Sequence, residues 1–191
     1  MGLISITNPA AGESIDAADV ATPFNTLKNE FNGNIDNDNI SSSAAIALSK
    51  LAAVAWTTFT PTWTAVSVNP TLGNGVISGR YMTIGKTCHY SIALTLGNST
   101  NRGTGNWLFS VPLAAANGLV TYQHHHGVAY DTSASAEFPL NGRVVAGGST
   151  VIVTCYHTNT GYTDQFGLSS STPFSFADPD QVHISGTYEI V

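Results

Sequence analysis

The sequence predicts a mainly β protein, a jelly-roll-like antiparallel β-sandwich preceded by a short α-helical arm. Charged residues make up only 9% of the 191-residue chain, against roughly 25% in ordinary soluble domains. Ser, Thr, Asn and Gly take their place, which suits strands and tight turns better than helical surfaces rich in Glu and Lys. The second half of the chain also alternates apolar and polar residues with period two, and Asn-Gly pairs at 74, 117 and 141 supply turn signals between the alternating runs. About eight or nine short strands so spaced form the pattern of a sandwich.

Composition shifts near Trp56. Residues 1 to 56 carry six acids against Lys28 and Lys50 and only three glycines, whereas residues 57 to 191 hold the other fifteen glycines and nearly all the aromatics. Two unlike segments follow, 1–56 and a β-sandwich over 57–191.

Within the first, Val20, Phe24, Leu27 and Phe31 recur at spacings of four, three and four, so they share one stripe of a helix. Asp16 or Thr22 supplies a cap. With Thr22 as cap, Pro23 falls harmlessly in the first turn, whereas a start near Ala17 puts it inside the helix, where it kinks the chain. Asn32-Gly33 marks the end. A helix this short is marginal in water, and its apolar stripe calls for a partner. Ile35 and Ile40 extend the apolar set through a polar run, and a second short helix is expected near Ser43 to Leu51.

From Thr57 the period is two. Cys88, Tyr90, Ile92, Leu94 and Leu96 form one apolar phase, and Val182, Ile184, Gly186, Tyr188 and Ile190 another. Further strands are expected at 59–68, 75–84, 107–111, 119–130, 137–145, 150–157 and 173–176. The stretches 97–105 and 158–171 read as polar loops. Cys88 and Cys155 both fall on apolar phases, as buried free thiols would.

Several functions are excluded by missing parts. Six basic against twelve acidic residues leave no cationic stripe for nucleic acid. No apolar run approaches the roughly 20 residues of a membrane span, and Met1 to Ile6 has neither the charge nor the apolar stretch of a signal peptide. No nucleophile elbow, H-E-x-x-H, phosphate loop or zinc-spaced cysteine pair occurs. Asp131, Glu137, Asp164, Asp178, Asp180 and Glu189 are not recognisably paired for glycoside hydrolysis. The sequence therefore reads as a non-enzyme without cofactor.

Two sets of residues carry weight beyond the helix stripe. His124-His125-His126 is the one local oddity: His124 and His126 share a strand face and are the only metal candidates, with strand packing the plainer reading. Asn98, Ser99, Thr100 and Asn101 offer uncharged hydrogen bonding on a loop, as a contact surface needs.

The phrase Asn34-Ile35-Asp36-Asn37-Asp38-Asn39-Ile40, followed by Ala44-Ala45-Ile46-Ala47-Leu48-Ser49-Lys50-Leu51, resembles a segment near the N-termini of tailed-bacteriophage fibre and minor structural proteins. Phe59-Thr60-Pro61-Thr62-Trp63, Gly79-Arg80-Tyr81, Gly105-Asn106-Trp107-Leu108-Phe109-Ser110-Val111-Pro112 and Ile184-Ser185-Gly186-Thr187-Tyr188-Glu189 resemble the β-rich head domain of the same class. The resemblance implies a homotrimeric virion component, made in the host cytoplasm, with an N-terminal segment on a capsid or tail protein and a β-domain displayed outward. What the resemblance implies is a short fibre or head-decoration protein, with residues 1–56 as the attachment and trimerisation segment and 57–191 as the head domain, and a receptor-binding tail protein for host surface glycan as the alternative.

Overall fold

In the computed structural model, which describes residues 12, 14, 16–32, 40–41, 43–44, 55–119, 121–159 and 162–191, the chain divides into two units, Met1–Ala53 and Val54–Val191. Ile35 and the helix expected near Ser43 to Leu51 lie outside the described residues, the latter apart from its first two positions.

The first unit contains α1, Ala17–Phe31. Asp16 caps it, its Oδ1 accepting the Ala18 N–H at 2.7 Å, and the Asn32 N–H closes the last turn on the Lys28 carbonyl at 3.0 Å. The start at Ala17 leaves Pro23 inside the helix, where its missing N–H removes one rung of the ladder. One turn later Thr26 Oγ1 donates to the Thr22 carbonyl at 3.0 Å.

The second unit is antiparallel β, as the alternation predicts. Its strands are β1 Thr57–Phe59, β2 Trp63–Ala65, β3 Val76–Ile84, β4 Thr87–Thr95, β5 Trp107–Ser110, β6 Gln123–Asp131, β7 Ala136–Val144, β8 Thr150–Asn159, β9 Tyr162–Gly167 and β10 Gln181–Glu189. They join edge to edge in one sheet of order β1-β3-β4-β10-β6-β7-β8-β5-β2, and β9 also pairs with β8. The end strands β1 and β2 are joined by only three residues, 60–62. Phe59 and Trp63 are thus within about 14 Å of each other, given the reach of an extended chain. The sheet therefore curls until its two edges approach, and the core lies inside the curl. The layering expected of two stacked sheets comes from one sheet bent on itself.

Inward-facing residues follow the predicted phases. Tyr90, Ile92, Leu94, Val182, Ile184 and Tyr188 are buried, with Trp107, Phe109, Val151 and Val153 from the far arm. Three expectations need correction. The run 59–68 is not one strand, since residues 60–62 separate β1 from β2 at opposite edges of the sheet. The run 173–176 is not a strand: Phe174 and Phe176 lie in an irregular segment, stack at 4.3 Å and cover the end of the core against Phe138 and Trp107. Conversely, 162–167, read as part of a polar loop, forms β9 as a hairpin on β8.

Cys88 and Cys155 are free and fully buried, and burial pushes both thiols up from their ordinary pKa. Both should resist a thiol reagent at pH 8 in the folded protein and react completely once it is unfolded by guanidinium. Rapid labelling of the native protein would contradict the packing.

Candidate functional site

Four surfaces carry the chemistry that the sequence singles out. On α1 the apolar stripe faces solvent: Phe24 is 69%, Phe31 67% and Val20 49% exposed, with Leu27 half-buried. Ile40, beyond the helix, is also exposed. Among the described residues, a 15-residue helix that leaves two phenylalanines to water is short of the packing that stabilises most protein helices.

The loop residues Asn98, Ser99, Thr100 and Asn101 are occupied with their own fold. Asn74 Oδ1 accepts both the Ser99 N–H at 3.0 Å and the Ser99 hydroxyl at 2.8 Å, and Asn74 Nδ2 donates to Asn98 Oδ1 at 3.0 Å. Thr100 Oγ1 donates to the Leu72 carbonyl at 2.6 Å, and Asn101 pairs with Thr71 through both backbone groups. The loop is a rigid stitch between 71–75 and 97–103, with its polar groups largely engaged.

The histidine triplet on β6 splits by strand alternation. His124 and His126 point outward and are exposed, whereas His125 is 1% exposed inside the curl. Its ring fits between strands because both flanking positions lack a side chain. Gly142 of β7 is its register partner, and on the other side the register Ser185 to His126 brings Gly186 of β10 alongside. A methyl group at Gly142 would meet His125 Cβ at 3.1 Å and Val151 Cγ2 at 2.9 Å. One on Gly186 would collide with His125 Nδ1. This also explains why Asn141-Gly142 sits inside β7 and is not the turn that its sequence suggests. The rings of Tyr90 and Tyr188 pack on the imidazole at 5.4 and 6.1 Å. Neither ring nitrogen of His125, nor the Tyr90 hydroxyl, has a hydrogen-bond partner among the described residues. Burial, and then the neighbouring His126 and His124, pull the His125 pKa from 6.5 down to about 4. Sequence reasoning weighed the outer pair and missed the middle histidine. The available signal was its phase, which it shares with Gly127 and Ala129.

The acids do structural work where their contacts are described. Asp180 is buried and accepts the Thr132 N–H at 2.9 Å and the Ala177 N–H at 2.6 Å. Asp131 accepts the Ser133 hydroxyl, which holds its carboxyl below the usual range together with the Ala134 N–H. The Asp164 side chain lies outside the described residues. Among the described residues no group of three or more His, Cys, Asp or Glu could hold a metal ion, and no helix is long and apolar enough to cross a membrane.

On the outer face of the sheet, two adjoining hollows of about 380 and 540 Å³ form a trough along β10 between β4 and β6. They share Ser91, His126 and Ser185, and Trp56 and Met82 lie at one end.

No known protein-family profile matches the chain. It is similar to the Mu-like prophage FluMu defective tail fiber protein of Haemophilus influenzae, with 30% identity over 122 residues. The match covers 64% of this chain, which spans 18% of that protein's length.

Proposed function

We propose that this chain is a bacteriophage virion structural protein, a short homotrimeric fibre or decoration protein anchored by residues 1–56 and displaying the β unit outward. The exposed stripe of Val20, Phe24 and Phe31 on α1 carries this reading. Such a stripe needs cover, and three copies of one helix meeting on an axis, or one helix laid on a particle protein, would provide it. Similarity to a phage tail-fiber protein supports the structural class and the absence of an enzymatic role. The partners are further copies of this chain and capsid or tail proteins, and the working location is the virion.

A chain lacking residues 1–56 should still unfold cooperatively as a β protein, sediment as a monomer and fail to join particles. Phe24→Asp in the full chain should break the trimer while leaving the β unit's melting temperature unchanged. Normal incorporation of the truncated chain, or monomeric sedimentation of the unaltered one at micromolar concentration, would defeat the proposal.

Recognition of host surface glycan is the second reading. The trough on the outer face, lined by serine hydroxyls and imidazoles, favours it more than the loop at 98–101, whose polar groups are engaged internally.

A further inference from the structure

We infer that the outer trough over β10 binds a neutral saccharide chain, a site that deepens the host-recognition reading and rests on it. By strand register Ser91 of β4, Ser185 of β10 and His126 of β6 stand in one row across the sheet. Neighbouring strands are about 4.8 Å apart, so the row presents hydrogen-bonding groups at a spacing close to the width of one sugar ring. None of the three side chains is hydrogen-bonded within the protein among the described residues. Hydroxyls donate and accept, and a neutral imidazole does one of each. Together they complement vicinal sugar hydroxyls, which also do both.

The walls are fixed where the row is open. His89 Nδ1 pairs with Thr187 Oγ1 at 2.9 Å, and His183 Nε2 with Gln181 Oε1 at 3.0 Å. Trp56, 45% exposed, closes one end with its ring held by the Arg80 guanidinium 4.8 Å from the ring centroid. An exposed indole beside a row of hydroxyls is a platform for the apolar face of a pyranose. No carboxylate, ammonium or guanidinium lines either hollow. Arg80 follows Ser91 in the same row with its guanidinium against the Trp56 ring, so the cation at the trough's end is already stacked on the indole, and an acidic polysaccharide would approach a chain of net charge −6. The hollows are within the usual size of ligand sites.

Trp63 and Trp107 are 8% and 0% exposed, so acrylamide quenching of the intact chain reports mainly on Trp56. Size-fractionated neutral O-polysaccharides should protect Trp56 from the quencher, and polysialic acid of equal length should not. On an array of the same polysaccharides, Trp56→Ala should weaken binding about ten-fold, and Ser185→Phe, which fills the floor from a solvent-facing position, should abolish it. Trp56 lies outside the strands, so W56A carries the test should S185F fail to fold. Ser99→Ala should leave binding unchanged. The assignment is overturned if no neutral polysaccharide binds, if W56A and a folded S185F bind normally, if polysialic acid binds better, or if Trp56 is shielded without sugar by self-association that S185F abolishes. Sedimentation of the same samples separates the two readings: a monomer that binds keeps the trough and loses the fibre, and a trimer that binds nothing does the reverse.

Discussion

Acidification from pH 7 to pH 4 is expected to remove roughly 3 kcal/mol of stability from the β unit through His125 alone. The folded pKa is depressed to about 4 from an ordinary 6.5, so between these values the unfolded chain binds a proton that the folded chain does not. Stability is therefore fully present above pH 6.5 and declines as pH falls towards 4, the opposite of a histidine that gains an acidic partner. The cause is local. An imidazolium at this position would be walled by the rings of Tyr90 and Tyr188 and by the chain at Gly142 and Gly186, with no acceptor for either N–H among the described residues. Burial raises the Tyr90, Tyr188 and Cys88 pKa values, so all three stay neutral across the window. Asp131, with its pKa lowered, loses its contribution only at still lower pH. Urea unfolding midpoints between pH 4 and 7.5 should slope steeply for the unaltered protein and much less for His125→Leu. At pH 7 that variant should lie within about 1 kcal/mol of the parent, because it replaces two unpartnered nitrogens by carbon. An equal slope in both proteins would show that another group is responsible.

Alternation made the centre of the sheet legible. The phase Cys88, Tyr90, Ile92, Leu94 is written in one strand and buried as written, because strand periodicity is a local property of the chain. The elements that failed depend on what they pair with or pack against, not on a pattern of their own. β9 is polar and carries no alternation of its own; its pairing with β8 forms the strand. Phe174 and Phe176 have strand-like composition, yet they serve as a lid on Trp107, whose position is set by β5 and β8. The glycines around His125 are likewise facts of register, visible only when three strands are aligned. The outer trough combines Trp56, Ser91, His126 and Ser185 from four places in the chain, and no local motif joins them.

Trp107→Ala is expected to cost roughly 3–5 kcal/mol, the upper range for deleting a buried aromatic. For a unit of this size the loss is a large share of an ordinary stability of about 5–15 kcal/mol, with a fall of about 10–20 °C in melting temperature. Trp107 is fully buried, meets Trp63 edge-on at 4.9 Å and Phe176 at 4.9 Å, and its Nε1 donates to the Arg102 carbonyl at 2.9 Å. Its backbone N–H also donates to Leu168 at 2.7 Å, joining β5 to the chain leaving β9. The neighbouring indole provides the control. Trp63 is also buried, but its Nε1 has no partner among the described residues. Replacing each tryptophan by phenylalanine removes similar volume and one N–H, satisfied in one case and unsatisfied in the other. Trp107→Phe should therefore cost about 2 kcal/mol, and Trp63→Phe about 1 kcal/mol or less, because removing an unsatisfied buried donor offsets part of the lost packing. Guanidinium unfolding of both variants measures the difference. Equal losses would mean that the Arg102 hydrogen bond adds nothing net, and a larger loss for Trp63→Phe would show that stacking of Trp63 over Phe109, 6.4 Å away and nearly parallel, outweighs the polar term.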